Sequence, residues 1–373
     1  MKAPEKTLEE FDVELAALNI RGQWQFEGAL EAAKSGPRNG GVPYLWKWSD
    51  VGGKLVEACR VMPESFTARR NFSFINPGLQ KPGTTQTILM GMQMVMPGEI
   101  AWAHRHTIGA LRFAIEGHEQ AYTVVDGEVL PMEPGDLVLT PSWTWHDHHN
   151  QSDGNAIWLD VLDVPTVFGL NQTFYEPLGE SVQPVRAERG EYLGERAKNV
   201  RPAWEVRAER PVPYRYAWRE VEASLRAYAR TGASRYDGVL LEYVNPITGG
   251  PTLPTLACYV QLLPPGFETI ERQRTSSAVY YVVEGHGQSI VDGQTLTWGP
   301  RDAFVVPTWA KHQHINLSGS EDAILFSVTD APVIRALGLY RDAADVDATR
   351  APLPVVPADA RRTSLHSHNV SKG

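Results

Sequence analysis

Cysteine and long apolar runs are both scarce in this chain of 373 residues. Its two cysteines, Cys59 and Cys258, are too few for a disulfide framework or for a metal site built from thiolates. No apolar run approaches the length needed to cross a membrane, and the N-terminal residues carry charges where a secretion signal has an apolar segment. The sequence therefore predicts a cytoplasmic protein with no membrane partner.

Basic residues are also in deficit, because 35 Lys and Arg stand against 44 Asp and Glu and leave a net charge of −9. The chain has neither a basic block nor a zinc-finger spacing, so we expect no nucleic-acid partner. The hydrophobic fraction of 42% is ordinary for a globular protein, and the length suits about two domains.

A β-rich texture of short runs broken by Gly, Pro, Asn and Asp occurs twice, over residues 71–170 and 239–340. The second stretch repeats the first: "FAIEGHEQ" returns as "YVVEGHGQ", and "LTPSWTWHDHHN" as "VPTWAKHQHIN". The offset is 168 residues between Gly98 and Gly266. Two similar units with even strand spacing predict an all-β-dominated chain of two small antiparallel barrels of the jelly-roll type.

The remaining segments are expected to frame these two barrels. Residues 1–70 form a helical and extended N-terminal segment, in which Thr7 and Glu10 have the spacing of a helix capping box. Residues 171–238 form a connection whose stretch "AWREVEASLRAYAR" predicts a helix, and residues 341–373 form a C-terminal tail.

Only eleven histidines are present, yet "AWAHRHTIGALRF" places His104 and His106 one residue apart in an apolar run. A strand turns alternate side chains to the same face, so both point one way, and Arg112 follows if the strand continues. His146 and His148 share a face on a later strand. Three neutral imidazoles from neighbouring strands can hold a divalent first-row metal and leave coordination positions open.

We predict His104, His106 and His146 as the metal ligands. The alternative is a set of hydrogen-bonded core histidines. His148 is open between a fourth ligand, a packing residue and a polar group that contacts substrate, and the last is favoured. The "HSH" of His366 and His368 lies in a polar tail, and we assign it no role.

The spacing around these histidines resembles the paired signature of the cupin superfamily, a small β-barrel. The first half departs from the usual pattern at Ala110, where many cupins carry a metal-binding Glu, and this departure implies a three-histidine site. With "VPYLWKW" and "YVNPITGG", the two copies make the chain similar to the gentisate and salicylate 1,2-dioxygenase family, which includes 1-hydroxy-2-naphthoate dioxygenases. The residues that carry the cupin signature are Gly98, His104, His106 and Gly117, then Gly135, Pro141, Trp143, His146 and Asn150.

This resemblance, which runs from about Pro43 to Leu337, implies an extradiol-type ring-cleavage dioxygenase with one Fe(II) per chain. Such an enzyme uses O₂ to open a 2-hydroxybenzoate between the carboxyl- and hydroxyl-bearing carbons. Gentisate would give maleylpyruvate, and salicylate or a 5-substituted salicylate such as 5-nitrosalicylate are further candidates. A site without a carboxylate ligand suits a substrate that chelates through its own carboxylate and phenolate. The family resemblance also implies a homotetramer.

The resemblance implies roles for further residues. Arg112 would bind the substrate carboxylate, and Arg70 would be a second arginine in the same pocket. For Arg70 two alternatives stay open: it forms a surface salt bridge, or the neighbouring Arg69 takes its place in the pocket. His148 would hydrogen-bond a substrate oxygen or O₂ and move a proton. Asp160 matches a family acid near that histidine, and pairing with an arginine is an equally open interpretation.

The far edge of the substrate ring should meet the stretch "TILMGMQMVM". Leu89, Gly91 and Gln93 share one face there, and the missing side chain of Gly91 predicts a roomy, permissive pocket.

The second copy differs at the metal positions. Arg272 and Arg274 stand at the positions equivalent to His104 and His106, and Tyr280 stands at that of Arg112. His312 and His314 are retained at the positions equivalent to His146 and His148. Two arginines cannot ligate a cation, so we expect one metal per chain. His312 and His314 are predicted to form a structural polar cluster, in a barrel that supports the fold and an oligomer interface.

Three alternatives to a gentisate or salicylate enzyme stay open. The substrate could be 1-hydroxy-2-naphthoate, which shares the chelating head. A zinc or manganese cupin that catalyses isomerisation, decarboxylation or hydrolysis usually retains the Glu that Ala110 replaces. A storage or ligand-sensing bicupin would not need a metal site. Metal content and oxygen uptake separate these classes.

Overall fold

The computed structural model describes residues 6–34, 36–37, 40–62, 70–186, 214–343 and 355–356. The chain divides into two compact units, Met1–Arg38 and Asn39–Gly373. Arg69, the "HSH" pair and most of the predicted tail lie outside the described residues.

The first unit contains the helix that the capping-box spacing predicts. Helix α1 spans Leu8–Ala17, and the Thr7 hydroxyl accepts a hydrogen bond from the Glu10 N–H at 3.2 Å. In return the Glu10 carboxylate accepts one from the Thr7 N–H at 2.8 Å, so both halves of the box are present. A 3₁₀ turn over Gln23–Phe26 leads into helix α2, Glu27–Ala32.

The second unit is dominated by antiparallel strands. Within the part of the chain that the structure describes, no helix has the length and apolar character required to traverse a bilayer. Its helices are α3 (Trp48–Val61), α4 (Val164–Gly169), α5 (Trp218–Ala229) and α6 (Ala331–Ala336). Its strands are β1 (Tyr44–Trp46), β2 (Arg70–Ser73), β3 (Leu89–Val95), β4 (Ile100–His106), β5 (Ala110–Glu116), β6 (Ala121–Val125), β7 (Glu128–Pro131), β8 (Leu137–Thr140), β9 (His146–Asn150), β10 (Ala156–Leu162), β11 (Tyr175–Pro177), β12 (Tyr214–Tyr216), β13 (Ala233–Ser234), β14 (Val239–Glu242), β15 (Ala257–Leu263), β16 (Ala278–Glu284), β17 (Gly287–Val291), β18 (Gln294–Trp298), β19 (Ala303–Val306), β20 (His312–Asn316), β21 (Ala323–Thr329) and β22 (Val355–Val356).

These strands form two similar barrels, as the internal repeat predicts. The first combines a sheet in the order β12-β8-β5-β10-β3-β2 with one in the order β11-β4-β9-β6-β7. The second combines β1-β19-β16-β21-β15-β14 with β18-β17-β20. The six-stranded sheet of each barrel contributes one face to a shared core. Alternate residues of β3, including Met90 and Met92, pack in that core with Val260 of β15 and Phe326 of β21.

Each barrel receives an edge strand from the segment that precedes the other barrel. Strand β1 pairs with β19 of the second barrel, and β12 pairs with β8 of the first. Strand β11 also pairs with β4, so the segment predicted as a connection over residues 171–238 contributes strands to the first barrel. A further repeat in the sequence marks these two exchanged edge strands, β1 and β12: "VPYLWKW" at residue 42 returns as "VPYRYAW" at residue 212.

Helices α3 and α5 follow the exchanged strands β1 and β12. The first N–H of each helix donates a hydrogen bond to a carboxylate of the barrel that the preceding strand joins. The Trp48 N–H donates to Asp302 at 2.9 Å, and the Trp218 N–H donates to Asp136 at 2.8 Å. Carboxylates at a helix N-terminus satisfy N–H groups that lack a partner within the helix.

A second exchange of contacts involves buried carboxylates at the ends of β10 and β21. Asp330 accepts hydrogen bonds from the Thr87 hydroxyl at 2.5 Å and from the N–H of Ser277 at 2.8 Å. Asp163 accepts one from the Thr255 hydroxyl of the other repeat at 2.6 Å. Burial raises the pKa of Asp330 to about 6, although its hydrogen bonds oppose the shift.

We therefore expect the free energy of unfolding to depend on pH through Asp330. A carboxyl whose pKa is higher in the folded state stabilises the fold when protonated, and this contribution is lost as pH rises from about 4 to about 6. The free energy of unfolding of the wild-type protein, relative to that of Asp330→Asn, should fall by about 3 kcal/mol across this range. Urea unfolding at several pH values measures it, and a constant difference would contradict this assignment.

Candidate metal centre

Three histidines of the first barrel converge on one point. His104 and His106 come from β4, and His146 from the neighbouring β9, where it lies directly opposite His104. Their donor nitrogens lie within 4.8 Å of one another, and their ring centroids are 4.2 to 5.4 Å apart. The strand parity inferred from the sequence therefore places these three side chains together.

The Nδ1 atom of each of these imidazoles forms a hydrogen bond with a backbone carbonyl oxygen. A hydrogen on Nδ1 leaves the Nε2 lone pair of each ring available to a metal. The Nε2 atom of His146 is buried and has no hydrogen-bond partner among the described residues, which is the condition that a bound metal would satisfy. The residues thus fit a metal ion. The carbonyls lie two residues from their histidines, at Trp102 (2.7 Å), Ile108 (2.8 Å) and Thr144 (3.0 Å).

The electrostatics of the group favour the neutral, ligand-competent form. Burial, with the neighbouring His106 and His104, holds the pKa of His146 well below its ordinary value. A neutral imidazole is the form that coordinates a metal, so this site does not have to lose a proton there near pH 7.

His148 lies beside this group but not within it. Its ring centroid is 5.9 Å from that of His146, and its Nδ1 is 2.8 Å from the Thr123 hydroxyl oxygen. The indole of Trp158 packs against the same ring at 5.2 Å. The convergent donors do not include His148, so the geometry does not favour a fourth ligand.

Arg112 and Asp160 face each other across β5 and β10, on the barrel side of the sheet. The Arg112 Nε is 3.4 Å from the Asp160 Oδ1, and both side chains are almost fully buried. Arg112 also donates from Nη1 to the Thr140 hydroxyl, and the Asn71 amide donates to Asp160 at 2.7 Å. Of the two interpretations of Asp160, the structure shows the pairing with an arginine. Sequence reasoning missed Asn71 and Thr140, whose only signal was their strand parity.

The structure does not bring Arg70 into this group. Its guanidinium forms two hydrogen bonds with Glu99, at 2.6 and 2.7 Å, and a third with the carbonyl of Met62. Arg70 lies opposite Met94, whereas the next residue, Asn71, lies opposite Gln93 and reaches the barrel side. The salt bridge anticipated as an alternative is present, but the arginine is buried instead of lying at the surface.

We expect Glu99→Gln to lower the free energy of unfolding by about 3 kcal/mol, because it removes the carboxylate charge that accepts two hydrogen bonds from a buried arginine. Iron content should not change. Glu284→Gln is a matched control, since it removes a carboxylate from an exposed pair with Arg226 and should cost under about 1 kcal/mol. Denaturant unfolding measures both. A large rise in KM with unchanged stability would instead place Arg70 at the substrate.

The three residues expected at the far edge of the substrate share the face of Asp160. Leu89, Gly91 and Gln93 alternate along β3, with Gly91 directly opposite Asp160. The Gln93 side-chain nitrogen is buried and finds no hydrogen-bond partner among the residues described. A Cβ added to Gly91 would lie 2.2 Å from the carbonyl oxygen of Phe72. The glycine is therefore required by the close approach of two strands, in addition to any effect on pocket volume.

The comparisons with known proteins agree with this architecture. A family model described as "Cupin domain" matches residues 91–162 and 259–329. The chain is 44% identical to a 1-hydroxy-2-naphthoate 1,2-dioxygenase of Nocardioides sp. (strain KP7), over 94% of this chain and 91% of that protein. It is 41% identical to a 5-aminosalicylate 1,2-dioxygenase of Comamonas sp, over 92% of this chain and 93% of that protein.

The chain belongs to the family of ring-cleaving 1,2-dioxygenases. The fold of this dioxygenase matches the crystal structure of a salicylate 1,2-dioxygenase from Pseudaminobacter salicylatoxidans with a TM-score of 0.82 and 30% identity, over 91% of this chain and 99% of that one. The bicupin fold and the family resemblance predicted from the sequence are thereby confirmed. The relatives are named for different aromatic acids, and the substrate must be argued from the site.

Proposed function

We propose that this dioxygenase holds one Fe(II) per chain at His104, His106 and His146. With O₂ it opens a 2-hydroxyaryl carboxylate between the carboxyl-bearing and hydroxyl-bearing carbons, which is the extradiol-type cleavage expected from the sequence. The observation that carries the proposal is the convergence of three imidazoles, two buried and that of His106 partly buried, each with Nδ1 hydrogen-bonded to a backbone carbonyl. No carboxylate belongs to this group in the described residues.

An all-imidazole group adds no negative charge to a divalent metal, so the substrate supplies the anionic ligands. Iron(II) bound there would supply chelation of the substrate oxygens and redox chemistry with O₂. A zinc or manganese isomerase or hydrolase is the second candidate class. The site gives it less support, because it lacks the carboxylate ligand and contains a buried arginine suited to an aryl carboxylate.

Arg112 binds the substrate carboxylate in this proposal. Asp160 and Thr140 hold its guanidinium in one orientation, and a planar guanidinium pairs with a carboxylate through two parallel hydrogen bonds. Asp160 acts as a positioning residue for Arg112. Substrate binding therefore does not require the arginine to be ordered anew.

His148 supplies a polar contact at the remaining edge of the site. Thr123 fixes the ring through Nδ1 and Trp158 packs against its face, so Nε2 keeps one direction. An imidazole in that position hydrogen-bonds the substrate hydroxyl or O₂ and is placed to transfer a proton. Gln93, Leu89 and Gly91 form the wall that the far edge of the ring meets.

The substrate class is the 2-hydroxyaryl carboxylates, and four members test it: 1-hydroxy-2-naphthoate, a 5-substituted salicylate, gentisate and salicylate. The first two are supported by the relatives, because the one at 44% identity is named a 1-hydroxy-2-naphthoate 1,2-dioxygenase and the one at 41% identity a 5-aminosalicylate 1,2-dioxygenase. The homotetramer and the cytoplasmic location stay predictions.

Oxygen uptake by the metal-reconstituted protein tests the proposal. Protein loaded anaerobically with Fe(II) should consume O₂ when mixed with at least one of these acids, and protein loaded with Zn²⁺ should consume none. Conversion of an acid by the zinc form without oxygen uptake would overturn the dioxygenase mechanism in favour of the second candidate class.

A further inference from the structure

The second barrel encloses a cavity of about 240 Å³. It occupies the place that the metal centre has in the first barrel, because Arg272 pairs with His312 as His104 pairs with His146. A cavity of roughly 150 Å³ is sufficient to hold benzene, so this one has room for an aromatic ring with polar substituents.

The charged side chains around the cavity leave it with a net positive charge. Arg272 is bound by Asp237 and Asp342, both at 2.6 Å, and Arg274 contacts the same two carboxylates at 3.2 Å. Burial alone would lower the pKa of Arg272, but the two carboxylates more than offset it and raise the pKa. Two arginines and two aspartates thus cancel, and the third arginine of the lining, Arg335, supplies the excess charge.

Arg335 is available to an anion. Arg335 is exposed, and its guanidinium lies 3.6 Å from the ring centroid of Tyr340, a contact that favours this position at the cavity. No carboxylate of the described residues lies within ion-pair distance of it.

Three neutral polar side chains also face the cavity with an atom unpaired. His312 and His314 are held at Nδ1, by the carbonyl of Ala310 at 3.1 Å and by the Ser289 hydroxyl at 2.8 Å. Neither their Nε2 atoms nor the Tyr280 hydroxyl has a hydrogen-bond partner within the described ranges, although all three side chains are more than nine-tenths buried. These three side chains line the cavity, and their polar atoms are available there to hydrogen-bond a ligand.

We propose that the second barrel binds one molecule of a small hydroxylated aromatic monocarboxylate. The carboxylate would pair with Arg335 and accept from the Tyr280 hydroxyl, and the phenol would donate to the His312 Nε2. The rings of Tyr236 and Tyr259 offer apolar surface for the aromatic ring. A metal cation is disfavoured, because the arginines and the net positive charge repel it.

The structural polar cluster expected from the sequence for His312 and His314 is thereby assigned to a ligand site. Only the choice of probe rests on the proposed function, since 5-fluorosalicylate belongs to the same chemical class as the proposed substrates.

Anaerobic titration of the iron-loaded protein with 5-fluorosalicylate, followed by ¹⁹F NMR and calorimetry, tests this site. The wild-type protein should bind two equivalents per chain. Arg335→Gln should weaken one of them at least tenfold, and Arg335→Lys, which keeps the charge, should restore it. Arg341→Gln is the matched control: it removes an exposed arginine charge nearby and should leave both equivalents.

Binding of a single equivalent by the wild-type protein, or two equivalents unaffected by Arg335→Gln, would overturn the proposal. If Arg335→Gln fails to fold, Tyr280→Phe replaces it with the same expected loss. If the proposed function fails instead, oxygen uptake is absent while the equivalent that depends on Arg335 remains. The two failures are therefore distinguishable.

Discussion

His146→Ala will reduce the iron content from one per chain to near zero and lower the rate of oxygen uptake by about 1000-fold or more. The substitution removes the ligand that is the most deeply buried of the three, and two imidazoles on one strand cannot hold the ion against dissociation. Metal analysis and an oxygen electrode measure the two effects.

The second barrel supplies a matched control for this substitution. His312 occupies the position equivalent to His146, is also buried and is also held by a carbonyl at Nδ1. His312→Ala should therefore keep one iron per chain, although it creates a similar internal void. Loss of iron from both variants would show that the first result reports damage to the fold, and retention of iron by His146→Ala would remove that residue from the ligand set.

Arg112→Gln should raise KM for the aryl carboxylate by about 100-fold, which corresponds to roughly 3 kcal/mol for a buried charge pair. Iron content should not change, because Arg112 does not belong to the convergent donors. Arg112→Lys should recover only part of the loss, since an ammonium cannot form the two parallel bonds of a guanidinium.

Arg301→Gln is the control for charge alone. Arg301 pairs with Glu116 in a partly exposed position, and its loss should leave KM within about twofold. An Arg112→Gln enzyme with unchanged KM and a reduced kcat would contradict carboxylate binding and would point to a role in the chemical step.

Much of the fold could be predicted from the sequence because the signals are local. The repeat predicts two equivalent units. The Asp-Gly pairs that begin at Asp126 and Asp292 mark hairpin turns, and in each turn the aspartate has a positive φ, 48° and 47°. The histidine spacing works for the same reason, since alternation along one strand decides which side chains share a face. These features depend on a few neighbouring residues.

The remaining features depend on contacts between distant segments. Because side chains alternate along β2, Arg70 points to Glu99 and the next residue, Asn71, points to the metal-centre side of the sheet. The sequence alone, with two adjacent arginines before Asn71, does not reveal which of these residues faces the site. Strand β11 brings Tyr175 against His104, with ring centroids 5.6 Å apart, from a segment that was expected only to connect the barrels. Gly91 is explained by the backbone of another strand.

The most direct test of the central claim is the fate of molecular oxygen during turnover. The iron-loaded enzyme would be supplied with ¹⁸O₂ and the 2-hydroxyaryl carboxylate that supports the fastest oxygen uptake, and the product would be weighed by mass spectrometry. A ring-opened product that contains both ¹⁸O atoms, formed with one O₂ consumed per molecule, is the predicted result. A product with no labelled atom, or an intact ring, would contradict the assignment of ring-cleaving dioxygenase chemistry to this site, whereas loss of one label alone reports exchange of the new ketone oxygen with water.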